Sequence, residues 1–137
     1  MVQLCRSYGF LTACRSEDVL AGPKTQCFVL DTLGELVPFC AAADVAFVAG
    51  SLDPIGGHNV LEPAALGIPV VVGPNTFNFA DVTELLIEQG ACMRIDEANA
   101  LAATLQRLLG QPELRQRMGE AAMAVVESER GAVKRTL

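Results

Sequence analysis

Two short apolar runs enclose a loop that carries adjacent glycines, and this arrangement restricts the chain to few folds. Residues 45–49 form the first run, residues 70–72 form the second, and Gly56 and Gly57 lie between them. Pro63 is tolerated only in the first turn of a helix, so one short helix is predicted to begin just before it. A strand, a loop, a helix and a second strand form the unit of a parallel sheet, whose ligands bind where a strand's carboxyl end meets the next helix.

The rest of the chain alternates in the same way. Further strands are predicted over residues 10–14, 27–31 and 91–95. Helices are predicted over residues 1–8, 32–43, 78–89 and 97–109, with a last helix after the Gly-Gln-Pro break at 110–112. Pro38 should kink the second helix or move its start later. This alternation with short connections predicts an α/β fold with a doubly wound parallel sheet of about five strands.

The length and the first residues of the chain predict its domain organisation. A chain of 137 residues is long enough for one domain with a core of its own. The chain opens in what reads as the end of a helix, which Gly9 terminates. Since a parallel α/β domain would open with a strand, we expect residues 1–137 to form a single domain that is truncated on its N-terminal side.

Composition limits the partners. The formal net charge of -6 argues against a nucleic-acid partner, which requires a basic face. A small anion remains compatible, because backbone amides and helix N-termini can bind one without net positive charge. No apolar run spans a bilayer, and five cysteines without a CxxC pair indicate reduced thiols in a cytosolic protein. With a single histidine, a multi-histidine metal site is excluded, and we expect no metal and no cofactor.

The glycine-bearing loop is the first candidate binding site. Gly56 and Gly57 permit positive φ angles and a close approach of the backbone to a ligand. The amides of Gly57, His58 and Asn59 are expected to point toward the mouth of the following helix, whose positive end attracts a phosphate. His58 could serve as a structural residue or as a ligand contact, and it is not predicted to be a catalytic base. Phe77 could face the same cleft.

Glu62 admits two interpretations. With Asn59 it has the spacing of a capping box, which needs no ligand. Alternatively, its carboxylate accepts hydrogen bonds from a ribose diol, as acidic residues do in dinucleotide-binding folds. Because a carboxylate repels a phosphate, the two groups would contact different parts of one ligand. Both interpretations can hold in succession, as a cap in the empty state and a diol acceptor in the bound state.

A second polar cluster follows the strand at residues 27–31 and contains Asp31, Thr32, Gly34 and Glu35. Thr32 and Glu35 have the form of a capping box, which explains both without a ligand. Gly34 inside a first helical turn costs roughly 1 kcal/mol relative to alanine. Close approach of a base or sugar would account for that glycine.

These segments together resemble a known family. The matching segments are residues 31–36, Ser51, residues 56–65 and residues 73–79. With them the chain closely resembles the C-terminal half of the 3-deoxy-D-manno-octulosonic acid (Kdo) transferases, which are GT-B glycosyltransferases with Rossmann-like domains. The resemblance runs from about Leu4 to Leu137. Its most specific part is the Gly-Gly-His-Asn-x-x-Glu-Pro-Ala block followed by Thr-Phe-Asn-Phe.

The resemblance implies a function in lipopolysaccharide synthesis. The family transfers Kdo from CMP-Kdo to the lipid A precursor at the cytoplasmic face of the inner membrane. Its C-terminal domain binds the CMP part of the donor. Carried over by position, the phosphate meets Gly56, Gly57, His58 and Asn59, and the ribose meets Glu62. The resemblance also assigns to the donor site Asp31, Thr32, Gly34, Glu35, Leu36 and Ser51.

The resemblance also implies what the chain lacks. In the family the N-terminal domain carries the acceptor site, the catalytic base and the membrane anchor, and this chain has no counterpart of that domain. We therefore expect no catalytic residue here, weak donor binding at best and no turnover. Contacts with lipid A precursor and membrane would go through the missing domain.

Two other classes of function stay open. The first is a non-catalytic nucleotide-binding or self-associating module, driven by the sheet edge that a missing strand would expose. The second is another nucleotide-sugar enzyme of the same fold, such as a UDP-sugar transferase or epimerase. A comparison of CMP with UDP binding would distinguish the second class from a Kdo transferase.

Overall fold

The computed structural model describes residues 1–18 and 20–136. They form an α/β structure in two compact units, Met1–Phe39 and Cys40–Leu137. All strand pairs in the described residues are parallel, with two strands in one hydrogen-bonded group and three in the other. The predicted α/β class and the five expected strands are therefore confirmed. The strands form two hydrogen-bonded groups and not one.

The first unit contains α1 (Val2–Ser7), β1 (Thr12–Cys14) and β2 (Cys27–Val29). Helix α1 ends as predicted, because Gly9 has a φ of 83° and its amide donates to the carbonyl of Arg6 at 3.0 Å. β1 and β2 are joined in register with Ala13 opposite Phe28.

Helix α2 (Leu36–Cys40) is shorter than the predicted helix over residues 32–43. Its start lies later, as the Pro38 argument anticipated, because a proline without an N–H group fits only the first turn. Gly34 precedes the helix at a φ of 81°. This glycine is therefore required by a left-handed turn that precedes the helix, and not by a position inside the helix.

The second unit consists of β3 (Ala46–Phe47), α3 (Leu61–Ala65), β4 (Val70–Val72), α4 (Ala80–Glu88), β5 (Cys92–Arg94), α5 (Asn99–Leu109) and α6 (Pro112–Thr136). Its strands follow the order β3-β4-β5. All three valines of β4 are fully buried, as expected for the central strand of a parallel sheet that is covered on both faces.

Two apolar clusters form the core of this unit. Val70 and Val72 belong to one cluster with Leu86 of α4, whereas Val71 belongs to the other with Leu108 of α5. Successive side chains of a strand point to opposite faces, so β4 contributes to both clusters. Complete burial of each leucine stabilises the fold by roughly 2 kcal/mol. Within the described residues, no helix combines the length and the apolar character needed to cross a bilayer.

Candidate functional site

Two loops and one arginine lie at the carboxyl edge of the β3-β4-β5 sheet. Residues 50–60, here called the glycine loop, follow β3, and residues 73–79, here called the clasp segment, follow β4. Arg94 is the last residue of β5. Because the strands are parallel, their carboxyl ends share one edge, which is the ligand-binding edge of such sheets.

Asn78 of the clasp segment holds the glycine loop. Its backbone amide donates to the carbonyl of Gly56 at 3.0 Å. Its side-chain amide donates to the carbonyls of Ile55 and Gly57, at 3.0 and 3.2 Å. The helix predicted over residues 78–89 begins later, at Ala80, and has no side-chain cap.

Ser51 is a second link between the two segments. Its Oγ donates to the carbonyl of Val48 at 2.6 Å and accepts from the amide of Gly73 at 2.8 Å. The backbone amide and the side chain of Asn75 donate to the carbonyls of Ser51 and Leu52, at 2.8 and 3.2 Å. Ser51 is 0% exposed, so in this conformation it positions the two loops, and its assignment to the donor site stays a prediction.

Both residues of the glycine pair are buried, and glycine is required by packing at position 56 and by a positive φ angle at position 57. Gly56 and Gly57 have φ angles of 101° and 83°. A Cβ on Gly56 would lie 2.7 Å from Cδ2 of Phe77, and one on Gly57 would lie 3.4 Å from the carbonyl oxygen of Asn75. Phe77 therefore packs on Gly56. This contact accounts for the glycine at position 56 without a ligand.

The direction of two loop amides differs from the prediction. The amide of Gly57 donates to the carbonyl of Gly50 at 3.0 Å, and the amide of His58 donates to the carbonyl of Ala49 at 3.1 Å. Both N–H groups are engaged inside the loop. The expectation that they point toward the mouth of the helix is therefore wrong for this conformation.

Backbone amides without a hydrogen-bond acceptor follow directly after His58 in the chain. Within residues 1–18 and 20–136, the amides of Asn59, Val60 and Glu62 have no hydrogen-bond acceptor. The Oδ1 atom of Asn59 accepts from the amide of Leu61 at 2.9 Å, which anchors the start of α3. Helix α3 has only 5 residues. Its macrodipole is correspondingly small, so an anion here would be attracted mainly by the local amides.

His58 and Glu62 present exposed side chains beside these amides. Neither side chain has a hydrogen-bond partner in the part of the chain that the structure describes. The ring of His58 lies against Gly50, where an added Cβ would be 3.2 Å from Cδ2. The predicted capping box between Asn59 and Glu62 is therefore wrong, because the side chain of Asn59 accepts from the amide of Leu61 and not from that of Glu62. The carboxylate of Glu62 stays free for another contact.

Asp31 is engaged within the first unit. Its carboxylate accepts from the Cys14 thiol at 2.9 Å, from the Ser16 hydroxyl at 2.6 Å and from the Ser16 amide at 3.0 Å. These hydrogen bonds, the one from Cys14 first, favour the ionised form and lower the pKa of Asp31 to about 2. The contacts account for Asp31 without a ligand.

Thr32 and Glu35 are also engaged within this unit. The Thr32 hydroxyl donates to Glu35 Oε1 at 2.8 Å, and Nε of Arg15 donates to Glu35 Oε2 at 3.1 Å. The hydrogen bond from Thr32, followed by that from Arg15, lowers the pKa of Glu35. The expected capping box is replaced by a contact between side chains. Leu36, which follows these residues, is exposed. The donor-site role of Asp31, Thr32, Gly34, Glu35 and Leu36 stays a prediction.

Arg94 is the residue that the sequence reasoning missed. Its Nη2 donates to Thr76 Oγ1 at 2.7 Å, and its Nη1 donates to Glu84 Oε1 at 2.6 Å. The available signal was its place at the end of a predicted strand, on the edge where the other loops converge.

Comparison with known proteins places this architecture in a family. The model of the family described as "Glycosyl transferases group 1" matches residues 17–125. The chain belongs to the group 1 glycosyltransferases. The matched residues of this glycosyltransferase include the whole glycine loop and the whole clasp segment.

Two curated relatives indicate which glycosyltransferases this chain resembles. The 3-deoxy-D-manno-octulosonic acid transferase of Bordetella pertussis is 45% identical over 116 residues, which cover 85% of this chain and 27% of that protein. The enzyme of the same name from Haemophilus influenzae is 40% identical over 124 residues, which cover 90% of this chain and 29% of that protein. This glycosyltransferase chain therefore spans under a third of the length of these relatives.

A solved structure shows the same fold. The crystal structure of the C-terminal CMP-Kdo binding domain of WaaA from Acinetobacter baumannii matches with a TM-score of 0.86 and 34% sequence identity. The match covers 90% of this chain and 65% of that chain. The resemblance of this glycosyltransferase to the C-terminal domain of Kdo transferases, first seen in its sequence segments, is confirmed.

Proposed function

We propose that this chain is the donor-binding part of a Kdo transferase and that it binds CMP-Kdo at the glycine loop. The observation that carries the proposal is the match to a CMP-Kdo binding domain over 90% of this chain. Free amides and an exposed carboxylate at the sheet edge support it, because they suit the two kinds of group in a nucleotide.

The phosphate of the donor is assigned to the amides of Asn59 and Val60. These amides are without an acceptor in the described residues, whereas the amide of Gly57 is engaged. Amide hydrogen bonds to a phosphate are charge-assisted and therefore stronger than those between neutral groups. His58, exposed beside the same amides, is assigned a contact at the edge of the phosphate. Gly56 and Gly57 contribute by shaping the loop.

The ribose of the donor is assigned to Glu62. Its exposed carboxylate has no partner in the described part of the chain, so binding a diol would break no existing contact. A carboxylate accepts hydrogen bonds from both hydroxyls of a diol. Electrostatic repulsion between this carboxylate and the phosphate requires that they contact different ends of the nucleotide.

Transfer of Kdo to the lipid A precursor, at the cytoplasmic face of the inner membrane, is proposed for the complete protein. The chain spans 27% and 29% of two Kdo transferases that it resembles. We assign the acceptor site, the catalytic base and the membrane contact to residues outside these 137. The 137-residue chain alone is expected to be inactive in transfer.

Calorimetric titration of the complete protein tests the donor site. CMP should bind more tightly than UDP, and Glu62→Ala should raise the dissociation constant for CMP about tenfold through the loss of hydrogen bonds to the ribose. With 2′-deoxy-CMP the difference between wild type and Glu62→Ala should shrink, since one hydroxyl is already gone. Glu88→Ala, at an exposed glutamate that ends α4, is the matched control and should bind as wild type.

Two results would contradict the proposal. Absence of CMP binding by the wild-type protein would contradict the assignment of a donor site to this chain. Tighter binding of UDP than of CMP would favour a UDP-sugar enzyme of the same fold instead.

A further inference from the structure

Arg94 connects β5 to the clasp segment and to α4 through one short hydrogen bond each. Its Nη2 donates to the Thr76 hydroxyl at 2.7 Å, while its Nη1 donates to the carboxylate of Glu84 on α4 at 2.6 Å. Thr76 is 7% exposed, so its hydroxyl has little access to water as an alternative partner. Hydrogen bonds from a charged donor are stronger than neutral ones, so Thr76 is held firmly.

Thr76 stands at the start of the turn that presents Asn78. The amide of Phe79 donates to the carbonyl of Thr76 at 3.0 Å and closes a single 3-10 turn over Phe77–Phe79. Asn78, in the middle of this turn, donates to the carbonyl of Gly57 at 3.2 Å. A continuous chain of contacts therefore runs from Arg94 through the clasp segment to the glycine loop.

A purely stabilising role explains this arrangement less well. The ion pair with Glu84 is partly exposed, with 28% of the Arg94 side chain and 54% of the Glu84 side chain accessible, and such pairs contribute little to stability. The Nε atom of Arg94 is buried and has no partner in the described residues, which is unfavourable. The packing of α4 on the sheet is provided by buried apolar residues such as Leu86.

The geometry requires a guanidinium. Its planar fork donates to Thr76 and to Glu84 from two different nitrogens. A lysine ammonium is a single point of charge at the end of a flexible stem and cannot reproduce this fork.

We propose that Arg94 is a positioning residue for donor binding. Its guanidinium fixes Thr76, and through the clasp segment it fixes the glycine loop so that the amides of Asn59 and Val60 meet the donor phosphate together. Arg94 itself does not contact the donor. The inference rests on the proposed function and adds a residue that acts through others.

The test compares hydroxyl deletions at two buried threonines of the complete protein. Thr76→Val removes the acceptor of Arg94, whereas Thr83→Val removes a buried hydroxyl that has no partner in the described residues. Thr76→Val and Arg94→Lys should each raise the CMP dissociation constant about tenfold, a size typical of a lost charged hydrogen bond. Thr76→Ser, which keeps the hydroxyl, and Thr83→Val should bind CMP as wild type.

Amide hydrogen exchange supplies a second measurement that does not depend on the ligand. Exchange at Gly57 and Asn78 should accelerate in Thr76→Val while exchange in β4 stays unchanged, since opening would be confined to the two loops. Thr83→Val should accelerate neither.

Each result has a defined meaning. Unchanged exchange in Thr76→Val, or faster exchange with unchanged CMP affinity, would overturn the positioning role. Loss of affinity in Thr83→Val equal to that in Thr76→Val would also overturn it. Absence of CMP binding by the wild type would instead overturn the proposed function, and with it this inference.

Discussion

The side-chain amide of Asn78 donates a hydrogen bond to the carbonyl oxygen of Gly57 at 3.2 Å. The contact joins residues 21 positions apart in the chain. The loop of a candidate donor site is therefore shaped from outside, by the segment that follows the next strand.

Asn78 can be tested with substitutions of graded effect. Asn78→Ala removes the hydrogen bonds to Ile55 and Gly57 and should lower the free energy of unfolding by about 1 kcal/mol. Asn78→Asp should lower it by about 2 kcal/mol, because a carboxylate would then face two carbonyl oxygens. Urea denaturation followed by circular dichroism measures both changes.

Asn99→Asp is the control for the chemical change in Asn78→Asp. Asn99 is exposed in the first turn of α5, where a negative charge interacts favourably with the helix dipole. The control should therefore be neutral or slightly stabilising. Equal destabilisation by the two aspartates would show that the contact of Asn78 with the loop carries no stability.

Gly56 should tolerate no side chain. Gly56→Ala places a methyl group in the ring of Phe77 at a φ of 101°, whereas Gly90→Ala introduces a methyl group at a φ of 76° with nothing within 4 Å. The left-handed conformation alone should make Gly90→Ala less stable by about 1 kcal/mol. Overlap with the ring should bring the loss for Gly56→Ala to about 3 kcal/mol. Thermal unfolding at one pH compares the two variants.

The double variant Gly56→Ala/Phe77→Ala separates the two causes. Without the ring, the loss of stability should fall, but it should stay above that of Gly90→Ala, because the added Cβ would still lie 2.8 Å from Cγ of Asn78. If the double variant is as unstable as the sum of the two single variants, then Phe77 does not explain the requirement for glycine.

Ser51 should behave as a structural residue. Ser51→Ala leaves the buried carbonyl of Val48 and the buried amide of Gly73 without this partner, and the expected loss is about 2 kcal/mol. Ser7→Ala removes an exposed hydroxyl that donates to the carbonyl of Leu4 and should be close to neutral. Denaturation midpoints provide the comparison. A Ser51→Ala protein that keeps its stability but loses CMP affinity would instead support Ser51 as a residue that contacts the donor.

Asp31 should make the first unit sensitive to acid. Its pKa is lowered to about 2 in the folded chain, below the value of about 3.9 of an ordinary aspartate. A lowered folded-state pKa means that its stabilising contribution is fully present above about pH 4 and is lost as pH falls toward about 2. The difference in melting temperature between wild type and Asp31→Asn should therefore shrink between about pH 5 and about pH 2.5.

Asp96→Asn is the control for the loss of one negative charge, since Asp96 is an exposed aspartate of the second unit. A difference between wild type and Asp31→Asn that stays constant down to the lowest pH would show that the contacts with Cys14 and Ser16 do not hold the carboxylate in its ionised form.

Local signals were enough to predict the regular elements. The uninterrupted valines at Val70–Val72 predicted a buried parallel strand, and the structure buries all three. Gly9 predicted the end of α1, and its φ of 83° agrees. The boundaries of α2 were harder, because Pro38 left open whether the helix bends or begins later.

The sequence by itself determined the parallel α/β class, the positions of most strands and helices, and the segments that resemble the Kdo transferases, since these depend on local pattern and on residue identity. Only the tertiary structure decided which amides of the glycine loop remain free. A glycine pair can adopt many backbone conformations, and the one observed is selected by Asn78 and Ser51, whose contacts involve the segments after two different strands. The contact of Arg94 with Thr76 was also decided by the tertiary structure. The two residues lie 18 positions apart in the chain and become neighbours only when β4 and β5 pair.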